Sequence, residues 1–147
     1  MADTNDIKFA TRAWALLLAG GLLAPLVVAA RLAPDARGFG THQQLGLPTC
    51  SWPVVLGIPC PSCGMTTAFA LMARADFGQA FRAQPLGALL ALAAACGCIV
   101  AAGAAVSGFQ LQRLFDPLVN RWGAAALVVV AALSWLWKVA VMREWFA

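Results

Sequence analysis

Three cysteines lie close together in the chain: Cys50, then Cys60 and Cys63 within Cys60-Pro61-Ser62-Cys63-Gly64. A Cys-x-x-Cys pair supports two chemistries: its thiolates grip one soft metal ion, or its thiols exchange with a disulfide. A structural zinc site takes four ligands. Cys50 offers a third and His42, the single histidine of the chain, a fourth. A Cys50/Cys60/Cys63/His42 zinc site is therefore the metal reading, and it would staple a loop with little core of its own. In the redox reading Cys60 is the attacking thiolate and Cys63 resolves it. A helix starting near Ser62 would favour that thiolate through its N-terminal N–H groups. Blander readings stay open beside these. Cys50 could bridge to Cys60 or Cys63 as a brace in an oxidising compartment, or all three could be packed thiols. Cys96 and Cys98, two residues apart, face different sides of a helix and read as small packing residues.

No other catalytic set is in view. The chain has no Ser-His-Asp arrangement, paired carboxylates, glycine-rich phosphate loop or heme-attaching Cys-x-x-Cys-His, since Gly64 follows Cys63. A non-enzymatic role follows, with thiol–disulfide exchange as the rival. Met65, Phe69 and Met72 keep helical spacing and read as a packed apolar stripe, with Thr66, Thr67 and Arg74 largely off it.

The elements that must hold these residues are membrane helices. Hydrophobic residues make up 62% of the 147 residues and charged residues 11%, far below the ~25% of a soluble domain. Such a chain has too little charge to cover a water-facing surface. It reads as one all-α membrane domain over residues 1–147, in contact with the lipid bilayer and other membrane proteins. No basic patch interleaved with aromatics points to nucleic acid. No carboxylate lies within an oily run, which argues against an ion-coupled transporter.

Three spans are expected, at about 14–30, 86–106 and 124–141. Pro25 sits inside the first, whose Val28-Ala29-Ala30 also fits a signal-cleavage site; the retained helix is preferred. Pro85 opens the second, where Ala93/Gly97 and Gly103/Ser107 form small-x-x-x-small pairs. Trp122, Trp135, Trp137 and Trp145 mark the ends of the third, and Lys138 is expected to snorkel to the headgroups. Leu111, Leu114, Phe115 and Leu118 suggest a surface helix before it. The segment 41–85 carries the cysteine loop and one or two short interfacial or re-entrant helices. One is expected from Ser62 to Arg74 and another after a capping box at Asp76 and Gln79. Four spans is the alternative, because residues 54–73 are also oily. With three spans, Lys8, Arg12, Arg113 and Arg121 share one side, and Arg31, Arg37, Arg74, Arg82, Lys138 and Arg143 the other. That balance leaves the side of the cysteine loop unassigned.

A resemblance rests on Cys50, Cys60, Pro61, Cys63, Gly64 and Thr66, with Ala75-Asp76 and Gln84-Pro85 following. Over residues 41–90 the chain resembles a family of small bacterial membrane proteins classed as a domain of unknown function. Relatives often carry Arg where this chain has Thr67. The resemblance implies a bacterial inner-membrane protein with a cysteine-bearing loop and supplies no reaction. The expected function is a structural or binding site at that loop, holding zinc or a similar soft metal and presenting a docking surface. Alternatives are a membrane oxidoreductase using Cys60 and Cys63, and a ligand-free partner subunit.

Overall fold

A computed structural model describes residues 4–109 and 120–146. Its elements are α1 (Thr4–Arg31), a 3-10 helix (Thr41–Leu45), α2 (Trp52–Leu56), α3 (Met65–Met72), α4 (Phe77–Ala83), α5 (Pro85–Ser107) and α6 (Arg121–Phe146). Phe9–Arg31, Pro85–Ser107 and Arg121–Met142 are long and apolar enough to cross a bilayer, so the chain is an integral membrane protein. Leu16, Leu17, Val128 and Leu133 are exposed along these helices, as lipid-facing residues are. The expected surface helix around residues 111–118 lies outside the described residues.

The first two spans pack through small side chains. Ala88, Ala91, Ala94, Ala101 and Ala104 are buried along α5, and Ala15 and Ala29 on α1. Spaced three or seven residues apart along α5, these alanines share a face and let the helix backbones approach closely. The seam runs to one side of the pairs expected from sequence, since Ala93 and Gly103 are exposed. Gly97 does touch α1, where an added Cβ would meet Leu22 at 3.0 Å. Cys98 packs near the Ala19 carbonyl oxygen (3.7 Å), while Cys96 is exposed on another face of α5.

Residues 32–84 form a layer of short helices at one end of the spans. No fourth span crosses there, because the backbone turns at Gly40, Gly46, Gly57 and Gly64, all with positive φ. The expected helix from Ser62 to Arg74 is shorter, Met65–Met72. Residues 60–65 instead make two successive turns, with Cys63 N–H donating to the Cys60 carbonyl (3.0 Å) and Met65 N–H to that of Ser62 (3.1 Å). Gly64, at φ +88°, then starts the helix. The buried face of α3 also differs from the expected stripe. It carries Thr67, Ala68 and Ala70, while Met65, Phe69 and Met72 are only half-buried. Thr67 is buried because its hydroxyl meets that of Thr41 at 2.8 Å, and Thr41 in turn accepts from Asp35 N–H (3.0 Å).

α3 ends in a Schellman motif: Asp76 N–H donates to the Leu71 carbonyl and Ala75 N–H to that of Met72, both at 3.0 Å. The motif needs a left-handed residue, and here it is Ala75 at φ +59°. A Cβ in that region costs about 1–2 kcal/mol. Ala75→Gly should therefore stabilise the protein by about 1 kcal/mol, read as a rise in thermal midpoint, because the exposed side chain makes no packing to lose. An unchanged or lowered midpoint would show that the strain is relieved elsewhere. Asp76 next caps α4, its carboxylate accepting from Gln79 N–H at 3.2 Å; the expected capping box is only half made, since Asp76 N–H goes to the Leu71 carbonyl.

Candidate functional site

The layer brings Cys50, Cys60 and Cys63 together. Their sulfurs all lie within 4.8 Å of one another, and Cys60 Sγ is 3.2 Å from Cys63 Sγ. The local chain explains the meeting. Cys50 stands just before α2, whose single turn ends at Gly57 with φ +66° and sends the backbone back towards Pro59 and Cys60. The two turns over residues 60–65 then fold Cys63 under Cys60.

Both peptide carbonyls flanking Cys60 are held from outside the loop. Trp135 Nε1–H on α6 donates to the Pro59 carbonyl (2.9 Å), and Gln84 Nε2–H to the Pro61 carbonyl (2.9 Å). Gln84 is fully buried at the entry to α5. Its Oε1 accepts from Ser134 (2.9 Å), whose hydroxyl oxygen accepts from Leu86 N–H (2.9 Å). One polar chain thus runs from the third span through the start of the second into the cysteine turn. Buried polar groups satisfied in this way make a rigid, uniquely specified support.

Lys138 corrects an expectation. It does not snorkel to the headgroups but is only 2% exposed, folded into the layer. Its ammonium donates to the carbonyls of Gly38 (2.9 Å) and Ala83 (2.8 Å) and lies 5.8 Å from the centre of the Phe39 ring. A compact ammonium with three donors suits converging carbonyl oxygens, and that geometry outweighs exposure to water here. A Cβ on Gly64 would come within 3.0 Å of the same ammonium nitrogen, so the cation lies directly behind the residue following Cys63.

The two sulfurs of the Cys-x-x-Cys pair are not equivalent. Burial pushes the Cys63 thiol up to about 12, helped by the hydrogen bond that it shares with Cys60. Burial also raises Cys60, but hydrogen bonds from Ser62 (3.4 Å), Cys63 and Cys50 outweigh it and hold that thiol below its ordinary value. Cys60 is thus the sulfur that ionises first, and it owes this to its neighbours rather than to a helix terminus, since α3 begins beyond Gly64.

A cavity of about 410 Å³ opens beside the sulfurs, lined among others by His42, Gln43, Thr49 and Thr66. The close cluster among the described residues consists of the three sulfurs, with His42 on the wall of the shared cavity. His42 Nε2 lies 3.1 Å from the Pro48 carbonyl oxygen, so that nitrogen carries the proton and donates. The lone pair of Nδ1 remains for another partner.

Sequence reading found the cysteines and missed the residues that position them. Ser134, Trp135 and Lys138 carry no motif, and Gln84 entered only through Gln84-Pro85 in the resemblance. One signal was present: Ser134 and Lys138 are polar, four apart, on one face of an otherwise oily span. No curated protein and no solved structure matches the chain. Residues 50–98, from the first clustered cysteine into the second span, match the model of a family described as proteins of unknown function, DUF2752.

Proposed function

We propose that Cys50, Cys60 and Cys63 bind one thiophilic metal ion, zinc first among them, as a structural site in a membrane protein that docks other membrane proteins. The observation carrying this reading is the mutual approach of three sulfurs from two separate stretches of chain. Zinc–sulfur bonds of about 2.3 Å place the sulfurs of a tetrahedral site roughly 3.8 Å apart. Small side-chain rotations would bring the present cluster to that spacing. His42 is the fourth ligand in this proposal, through Nδ1. A metal-bound imidazole commonly donates its other N–H to a carbonyl, as Nε2 does to Pro48 here. Exposed apolar residues on and around α2 (Leu47, Trp52, Val55 and Leu56) support the docking role.

The inequality of Cys60 and Cys63 favours a second reading, disulfide exchange. The Cys60 thiolate would attack a substrate disulfide, releasing one substrate thiolate and forming a mixed disulfide. Cys63, losing its proton, would then displace the second substrate thiol. The protein would be left with a Cys60–Cys63 disulfide and the substrate reduced by two electrons.

One preparation separates the two. Full-length protein purified without chelator under reducing conditions should carry one equivalent of metal by mass spectrometry, and Cys60→Ser should lower retention at least about 100-fold. Stoichiometric metal absent from wild type would remove the metal reading. A Cys60–Cys63 pair then found oxidised in a potential-dependent way by alkylation trapping would install the redox one.

A further inference from the structure

A second cavity is lined by Lys138 and by none of the cysteines. It measures about 400 Å³ and is lined by Asp35, Arg37, Arg82 and Lys138 together with Gln79 and apolar residues including Leu71, Val141 and Met142. Three cations face one carboxylate there, and that carboxylate is already committed. Asp35 accepts from Arg37 Nε–H (3.0 Å) and Nη2–H (2.8 Å), forming an ion pair. The Arg82 guanidinium makes no hydrogen bond or ion pair among the described residues, although it borders this concave wall. An arginine left with a full set of donors beside two further cations suits a multi-oxygen anion, two of whose oxygens its planar fork can meet at once.

The depth of the cavity is set by the spans. Its lining comes from just beyond the end of the first span at Arg31, just before the start of the second at Pro85, and from the last turns of the third at Met142. Trp137, half-exposed with its indole N–H 3.4 Å from the Arg82 carbonyl, lies at the same level, where tryptophans seat at the bilayer interface. Cations stand beside Leu71, Val141 and Met142, so a ligand with a charged head and an apolar body would meet matching surface at both ends.

We propose that this cavity binds an anionic phosphate group, carried by a phospholipid headgroup or as free phosphate, with the Arg82 guanidinium as its principal donor and Lys138 and Arg37 supplying the surrounding positive potential. The site uses none of the cysteines, although Arg37 lines both cavities and the Lys138 ammonium lies behind Gly64. The apolar side of the cavity favours the lipid as source.

The test uses the full chain in a neutral detergent, with phosphatidylglycerol, phosphatidylcholine and inorganic phosphate as the probes. Native mass spectrometry should show phosphatidylglycerol retained about tenfold more strongly than phosphatidylcholine, and Arg82→Gln should erase that preference. Arg82 is exposed, so the variant should fold, and an unchanged thermal midpoint without lipid would confirm it. Arg74→Gln removes an exposed cation elsewhere in the layer and should leave the preference intact. Displacement of the lipid by millimolar inorganic phosphate would support the same site with free phosphate as its ligand; no displacement would support the headgroup. Retention of phosphatidylglycerol by Arg82→Gln at the wild-type level, or no preference over phosphatidylcholine in wild type, would overturn the proposal.

Discussion

Gly64→Ala should cost about 3 kcal/mol or more and open the cysteine layer. Two effects combine. Gly64 sits at φ +88°, where a side chain costs about 1–2 kcal/mol in strain. Its missing Cβ would also fall 2.6 Å from the Gly38 carbonyl oxygen and 3.0 Å from that of Ala83. Both obstacles are backbone, so relief requires moving the segment around Gly38 or the end of α4, not a side-chain rotation. Over-packing of this kind costs about 1–3 kcal/mol in addition to the strain. The expected readouts are a lowered thermal midpoint in detergent and faster maleimide labelling of Cys63, which is 6% exposed in the intact layer. A variant that melts with wild type and keeps Cys63 protected would mean that the close approach of these three strands of chain carries no weight.

Lys138→Met carries the second large effect. It keeps an unbranched stem of similar length and removes the ammonium. The Gly38 and Ala83 carbonyls then lose the donor that they share. Leaving buried acceptors without a partner costs about 1–3 kcal/mol each, so a destabilisation of about 3 kcal/mol is expected from chemical or thermal unfolding. The metal reading adds a separate consequence. Three thiolates around a divalent ion leave a net negative charge, and the ammonium behind Gly64 offsets it. Metal affinity should therefore fall about tenfold or more in Lys138→Met, measured by competition with a chromophoric chelator. Lys138→Arg restores the cation and should recover affinity in part. Equal affinity in all three proteins would detach Lys138 from the sulfur site and leave it a purely structural clamp.

These two residues show where sequence reading stopped. The spans were legible because a bilayer demands long apolar runs, and those runs appear in the order of the chain. The cysteine cluster was legible because Cys60 and Cys63 are neighbours in sequence and Cys50 is only ten positions away. The end of the third span was not. Lys138 at the edge of an oily run has two ordinary fates, the headgroups or a pocket of carbonyls, and only the tertiary fold decides between them. The start of α3 was missed for a local reason: Cys60-Pro61-Ser62-Cys63 can open a helix or turn twice, and the left-handed Gly64 requires the turns. Thr67 was read as off the packed face because the stripe was drawn through the largest apolar residues. Its actual partner, Thr41, stands 26 positions earlier, beyond any helical period.

The order in which the chain is made gives the polar supports a further meaning. Gly38 meets Lys138 across 100 positions, Pro59 meets Trp135 across 76, and Gln84 meets Ser134 across 50. In a nascent polypeptide α1, the three clustered cysteines and α5 are all made before α6. Until α6 inserts, the Pro59 carbonyl lacks its Trp135 donor, and Gln84, which holds the Pro61 carbonyl, lacks Ser134. Completion of the cysteine turn therefore depends on α6 being in place. A chain with α6 outside the bilayer would lack these supports and leave Cys63, 6% exposed in the intact layer, more open.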